Sequence, residues 1–191
     1  MGISDTTDSK KRGNTMNCPA CGTEITLGTE VCEECHTSLN YLEDSQRSQL
    51  KRKILHDLIL KLKPAPVITI LEKESIASGI KLLQNKKSGC LVVVNTEGKI
   101  SGIMTERDLL FKVAGTSVDL DHSPVAAIMT PHPECLSVND TLAYALYKMG
   151  HGGYRHIPLV DLEKRPSGIL SVRDIMQYIL SVWNEDNTSG V

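Results

Sequence analysis

No apolar run in these 191 residues approaches the roughly 18 that a bilayer-spanning helix needs. The first sixteen residues, MGISDTTDSKKRGNTM, are polar and lack the apolar stretch of a signal peptide, so a soluble cytoplasmic protein is the expectation. Marks of catalysis are missing as well. No Ser/His/Asp order, paired carboxylates, open metal site or P-loop stands out, which speaks against an enzyme. Lys and Arg are absent between Asn17 and Asp44, a stretch that holds six acidic residues. Phosphate contacts need those cations, so a protein partner suits this segment better than nucleic acid.

Basic charge is concentrated just beyond. From Arg47 to Lys63 there are six basic residues against a single Asp57. Leu50, Ile54, Leu55, Leu58, Ile59 and Leu62 recur there at helical spacing, which predicts an amphipathic linker helix over 45–63, ended by Pro64. Its apolar stripe must pack either on the protein's own core or on the same helix of a second copy. Its basic face suits solvent, an acidic surface or nucleic acid. A nucleic-acid-associated regulator that uses the cysteine segment and this helix is the alternative reading, and it predicts binding that falls steeply with salt.

Four of the six cysteines form two pairs, Cys18-Pro-Ala-Cys21 and Cys32-Glu-Glu-Cys35, separated by ten residues that include Gly22 and Gly28. The spacing is that of two zinc knuckles closing one all-sulfur site. Four thiolates leave no coordination position for water, so the expected zinc is structural. Redox CxxC motifs rarely come as two facing pairs, and a chain with no export signal favours metal over a disulfide framework. A ribbon over 17–40 has almost no core, so zinc would supply most of its folding energy, on the order of 10 kcal/mol. His36 reads as a bystander beside Cys35, while Cys90 and Cys135 stand apart inside apolar segments. Residues 1–16 and 185–191 read as flexible tails.

The rest of the chain repeats itself. A shift of 66 positions aligns ESIASGIKLL with DTLAYALYKM, LVVVN with IPLVD, and SGIMTERDLL with SGILSVRDIM. Each copy reads as a short strand, a capped amphipathic helix, two strands joined by a polar turn, and a second helix. The unit is βαββα, about 50 residues long and too small to bury both sheet faces alone, so two units over 64–121 and 122–184 are expected to pack together.

Each copy ends its last strand on a matched heptapeptide, Gly102-Ile103-Met104-Thr105-Glu106-Arg107-Asp108 or Gly168-Ile169-Leu170-Ser171-Val172-Arg173-Asp174. A hydroxyl and a carboxylate thus meet where a strand becomes a helix. Unpaired N–H groups and the helix dipole there suit a phosphate, the carboxylate can accept from ribose hydroxyls, and Gly permits close approach of backbone. Arg107 and Arg173 could meet phosphate oxygens. Plain capping is compatible with the same residues.

This repeat resembles the CBS domain pair, or Bateman module, over about 120 residues. The resemblance implies a fold of mixed α/β class: two βαββα units related by a pseudo-twofold axis, with clefts that commonly hold AMP, ADP, ATP or S-adenosylmethionine. It implies a non-catalytic regulatory module and a flat homodimer. Asp108 and Asp174 would hold ribose, Thr105 and Ser171 would sit by ribose or phosphate, and Arg155 and His156 would face phosphates. The aligned first-copy residues Ser88, Gly89 and Cys90 carry no cation, so one cleft is expected to be richer in positive charge.

Overall fold

The computed structural model describes residues 15–26, 29–39 and 53–188. The N-terminal ribbon starts with the antiparallel pair β1 (Thr15–Asn17) and β2 (Glu24–Thr26). The first repeat runs β3 (Thr69–Leu71), α1 (Ile76–Lys86), β4 (Cys90–Val94), β5 (Ile100–Thr105) and α2 (Glu106–Lys112). After a connecting strand β6 (Thr130–Pro131), the second repeat runs β7 (Leu136–Ser137), α3 (Leu142–Gly152), β8 (His156–Val160), β9 (Pro166–Ser171) and α4 (Val172–Thr188). This is the mixed α/β architecture that the repeat predicts. Among the described residues no helix is long and apolar enough to cross a membrane.

Equivalent residues start and stop equivalent elements. Ser75 accepts a hydrogen bond from the Ser78 N–H and Thr141 from that of Tyr144, so each first helix gains a partner for an otherwise orphaned donor. Each of these helices ends on a left-handed residue, Lys87 (φ 49°) or Gly153 (φ 66°). In the sheets, β4 lies parallel to β3 and antiparallel to β5, with Cys90 opposite Thr105. The second sheet keeps that register, with His156 opposite Ser171.

Neither repeat is complete by itself. β6, which leads into the second repeat, pairs with β5 of the first, and Ala65, which leads into the first, bridges Ile169 of the second. Leu58 bridges Thr141 while Pro124 bridges Ser75. The Leu142 N–H donates to the Asp57 carbonyl and the Ile76 N–H to that of Ser123. Leu58–Thr141 maps onto Pro124–Ser75, and Leu142–Asp57 onto Ile76–Ser123, by the 66-position shift, while the strand pairings match to within one residue, which makes the exchange the physical content of the pseudo-twofold relation. Separate apolar cores result, one around Ile76, Leu91 and Met104, the other around Leu142, Ile157 and Leu170.

The linker departs from the helix expected over 45–63. Residues 40–52 lie outside the described ones; beyond them the chain is helical over 53–56, extends at Leu58 and forms a 3-10 turn at Ile59–Leu62. The cause is competition for backbone donors: the Ile59 and Leu60 N–H groups bond the Asp140 and Val138 carbonyls of the second repeat rather than their own preceding turn. Ile59 is fully buried in the second core, so the apolar stripe packs on the protein itself.

Candidate ligand clefts and metal centre

The two heptapeptides fold alike. The Thr105 N–H and hydroxyl donate to Asp108 Oδ2 at 2.9 and 2.6 Å, and the Ser171 N–H and hydroxyl donate to Asp174 Oδ2 at 2.9 and 2.7 Å. The Asp108 and Asp174 N–H groups return the bond to the hydroxyls, so both turns are capping boxes, as the bland reading of either motif has it. Capping uses only one carboxylate oxygen of each aspartate. The glycine serves a different purpose from the one its position suggests. A Cβ on Gly102 would collide with the Met129 sulfur and stand 3.0 Å from the Thr130 carbonyl oxygen, so the close approach is made by the protein's own β6 segment.

A central cavity of about 780 Å³ lies against both turns. Of the residues singled out from sequence, Thr105, Arg107, Asp108, Arg155, His156, Ser171 and Arg173 line it; Asp174 does not. A smaller cleft of about 220 Å³ opens beside it, walled by Ala65, Pro66, Ile68, Cys90, Val92 and Ile169, with Lys86, Lys87 and Ser88 at its edge. The Asp174 carboxylate is held by the N–H and hydroxyl of Ser171, which lines the large cavity. Lys87 lines both spaces.

The cations are shared unequally between the two spaces: Arg107, Arg155 and Arg173 line the large cavity alone, with Glu106 beside them, and Lys86 lines the small cleft alone. Both turns open onto a single cavity that gathers Arg107, Arg155, Arg173 and Lys87. The first copy also supplies cations, Lys86 and Lys87, just before the Ser88-Gly89-Cys90 run. The sequence motif at the strand's start does not reach these lysines; the signal for them is the helix end, where Lys87 takes the left-handed place of Gly153. Burial holds His156 below the ordinary histidine range, and Arg155 beside it adds to the depression. Burial likewise pushes the Cys90 thiol up to about 11.

In the ribbon, the Sγ atoms of Cys18, Cys21, Cys32 and Cys35 all lie within 4.8 Å of one another. Repetition again builds the site. The Gly22 N–H donates to the Cys18 carbonyl and the His36 N–H to that of Cys32, so two like knuckles face each other, with Gly22 (φ 77°) and His36 (φ 53°) in left-handed conformation. His36 thus shapes a turn and stays outside the donor set. Sulfurs about 2.3 Å from a zinc at tetrahedral angles stand about 3.8 Å apart. Cys18 to Cys35 spans 3.8 Å and Cys21 to Cys32 spans 3.6 Å, which fits such an ion.

The ribbon sits on the second repeat. The Thr141 hydroxyl, which caps α3, also donates to the Pro19 carbonyl. Cys18, Cys21 and Cys32 share an apolar cluster with Leu55 and with Ala143 of α3, and Tyr147 packs against it.

The CBS domain pattern matches this chain twice, over residues 61–115 and 125–181, and the chain belongs to the CBS domain family. Relatives that carry the pair include the CBS domain-containing protein CBSCBSPB3 of Arabidopsis thaliana, 33% identical over 99 residues, 52% of this chain. Those residues are 17% of that protein, so this chain spans under a fifth of it. Among solved structures, the CBS-domain containing protein ATU1752 from Agrobacterium tumefaciens is 31% identical with a TM-score of 0.56, over 63% of this chain and 94% of that one. The CBS domain pair of protein MJ0100, in complex with methylthioadenosine and S-adenosyl-L-methionine, is 25% identical with a TM-score of 0.57, over 63% of this chain and 98% of that one.

Proposed function

We propose that this chain is a non-catalytic sensor that holds an adenosyl ligand across its two clefts and signals occupancy to a protein partner. One observation carries the reading: an apolar slot just large enough for a flat base opens beside a cavity walled by Arg107, Arg155, Arg173 and Lys87. The base enters between Ile68, Val92 and Ile169. Asp174 accepts from the ribose hydroxyls, and Ser171 and Thr105 lie beside the sugar or its phosphate. The anionic end extends toward Arg155, His156 and the other cations. The complex of the MJ0100 pair supports adenosyl chemistry, and the cationic wall favours a phosphate-bearing member such as AMP over S-adenosylmethionine.

Isothermal titration with AMP and S-adenosylmethionine tests this. AMP is expected to bind and to raise the melting temperature, and Arg155→Ala weakens AMP more than S-adenosylmethionine. Silence from both ligands overturns the reading.

The ribbon carries structural zinc through Cys18, Cys21, Cys32 and Cys35 and offers its acidic surface to the partner. Exposed Leu110 and Phe111 of α2 and Met176, Leu180 and Trp183 of α4 leave an apolar patch on repeat-related helices. Leu110 and Met176 are shift mates, so both repeats contribute to the patch, and an exposed apolar surface of this kind suits a second copy of the chain in a homodimer. Sedimentation is expected to find a dimer that Leu180→Asp disperses. The proposed setting is the cytoplasm.

A further inference from the structure

The two turn aspartates differ in what holds their second oxygen. Lys112 Nζ donates to Asp108 Oδ1 at 2.7 Å, and the Thr130 hydroxyl donates to it at 3.2 Å. The same ammonium donates to the carbonyls of Ile128 and Met129 at 2.7 and 3.3 Å, so it is clamped between α2 and the segment leading into the second repeat. Asp108 is only 7% exposed, and with both oxygens engaged it has little left to offer a sugar. Asp174 is half-buried, and among the described residues none donates to its Oδ1.

The cause is written in two positions. The shift mate of Lys112 is Tyr178, whose hydroxyl turns away to the Asp57 carboxylate. The shift mate of Thr130 is Pro64, which has no side-chain donor. Both groups that occupy Asp108 are therefore missing around Asp174. The base slot is one-sided too. Ile68, Cys90 and Val92 of the apolar slot correspond to Glu134, His156 and Pro158 in the second copy. Glu134 is paired with Lys148 at 2.6 Å, and the Tyr154 ring lies over Gly152 where Lys86 stands in the first copy.

A ribose arriving at Asp108 would have to displace an ammonium that also satisfies two backbone carbonyls, leaving buried acceptors unpaired. At Asp174 it meets a carboxylate oxygen that is already available. We propose that each chain binds one adenosyl ligand, with its ribose on Asp174, and that Lys112 is a built-in counterion that closes the Asp108 station. The inference rests on the adenosyl-ligand reading above and names which of the two stations works.

Titration calorimetry of the full chain with AMP decides it. The wild type is expected to take one AMP per chain, and Asp174→Asn to lose at least about tenfold in affinity. Lys112→Met combined with Glu134→Ile, which gives the second copy a slot residue of the first, frees Asp108 and raises the stoichiometry to two. Lys112→Tyr with Glu134→Ile does the same if the Met form folds poorly. With Asp174→Asn added, one site remains. Two AMP per wild-type chain, unchanged affinity in Asp174→Asn, or a single site in both folded Lys112 forms overturns this inference while leaving the adenosyl reading intact. No heat from AMP or S-adenosylmethionine in any form sinks the reading and this inference together.

Discussion

The two repeats are copies in backbone and differ in the side chains that line the clefts. Residues that set the path of the chain are kept in kind: a hydroxyl at 75 and 141, aliphatics along the strands, Thr105 or Ser171 with its aspartate. Residues that set what a site can do are exchanged freely: Cys90 for His156, Ser88 for Tyr154, Lys112 for Tyr178, Thr130 for Pro64. Symmetry of fold is therefore cheap to keep, since it needs small changes in few positions, whereas equality of sites would need every lining residue held. The ribbon sharpens the contrast because, among the described residues, it packs on Thr141 and Ala143 at the start of α3.

The largest break in the comparison should come from removing a ligand of the proposed zinc. Cys32 is fully buried, and Cys32→Ser is expected to take the zinc content from one per chain to none. The ribbon then loses a folding contribution on the order of 10 kcal/mol. Hydrogen exchange is expected to rise in α3, where the ribbon docks, and to stay level in α1. Equal change in both helices would mean that the ribbon supports the whole pair rather than one half. The next effect tests sameness: Ile76 and Leu142 are shift mates, both fully buried at the start of their helices. Ile76→Ala and Leu142→Ala should each cost about 2–5 kcal/mol in denaturant melts. A gap of more than about 2 kcal/mol between them would show that the cores are not equivalent.

Much of this architecture is visible in the sequence because the repeat is ungapped, so strands, caps and helices announce themselves twice. Both turns of the ribbon are equally plain, since CxxC forces its own geometry. The linker was legible only in composition. Ile59 and Leu60 have helical spacing, but their N–H groups are claimed by Asp140 and Val138, distant in sequence, and no local pattern records that claim. For the same reason the arrangement of the candidate site residues could not be read from their order along the chain. Spacing along the chain puts Asp174 beside Ser171, yet it does not say that the cavity takes Ser171 and leaves Asp174 at its margin. The contacts of Lys112 are not legible in sequence because they need the Ile128 and Met129 carbonyls, which approach only after the units exchange strands.

A smaller asymmetry separates the two caps. Ser75 and Thr141 both cap helices, so replacing either by Ala should cost about 1 kcal/mol. Thr141 has a second duty, since its hydroxyl donates to the Pro19 carbonyl of the ribbon. Thr141→Ala is therefore expected to cost about 1 kcal/mol more than Ser75→Ala, measured by thermal melts, and Thr141→Ser to recover most of it. If the two alanine variants melt together, the ribbon contact contributes nothing to stability.

The smallest effect sets the shift mates Cys90 and His156 against each other in pH. Burial and Arg155 hold the folded His156 below its ordinary 6.5, so the unfolded chain takes up a proton first as the solution acidifies. Stability from this group is whole above about pH 6.5 and drains away as pH falls through the folded value. For Cys90 the order reverses. Burial lifts its thiol from an ordinary 9.0 to about 11, so its contribution is whole below pH 9 and is lost between about pH 9 and 11, where the unfolded thiol ionises first. His156→Gln should flatten the acid limb of a stability profile alone, and Cys90→Ala the alkaline limb alone. Bound as proposed, AMP would work against the first limb, because a phosphate beside the imidazole favours the protonated ring. Proton uptake on binding near pH 6, measured in two buffers of different ionisation heat, is expected in the wild type and absent in His156→Gln. Uptake that survives the substitution would place the phosphate away from His156, and the two halves would then differ in acid stability without differing in what they offer the ligand.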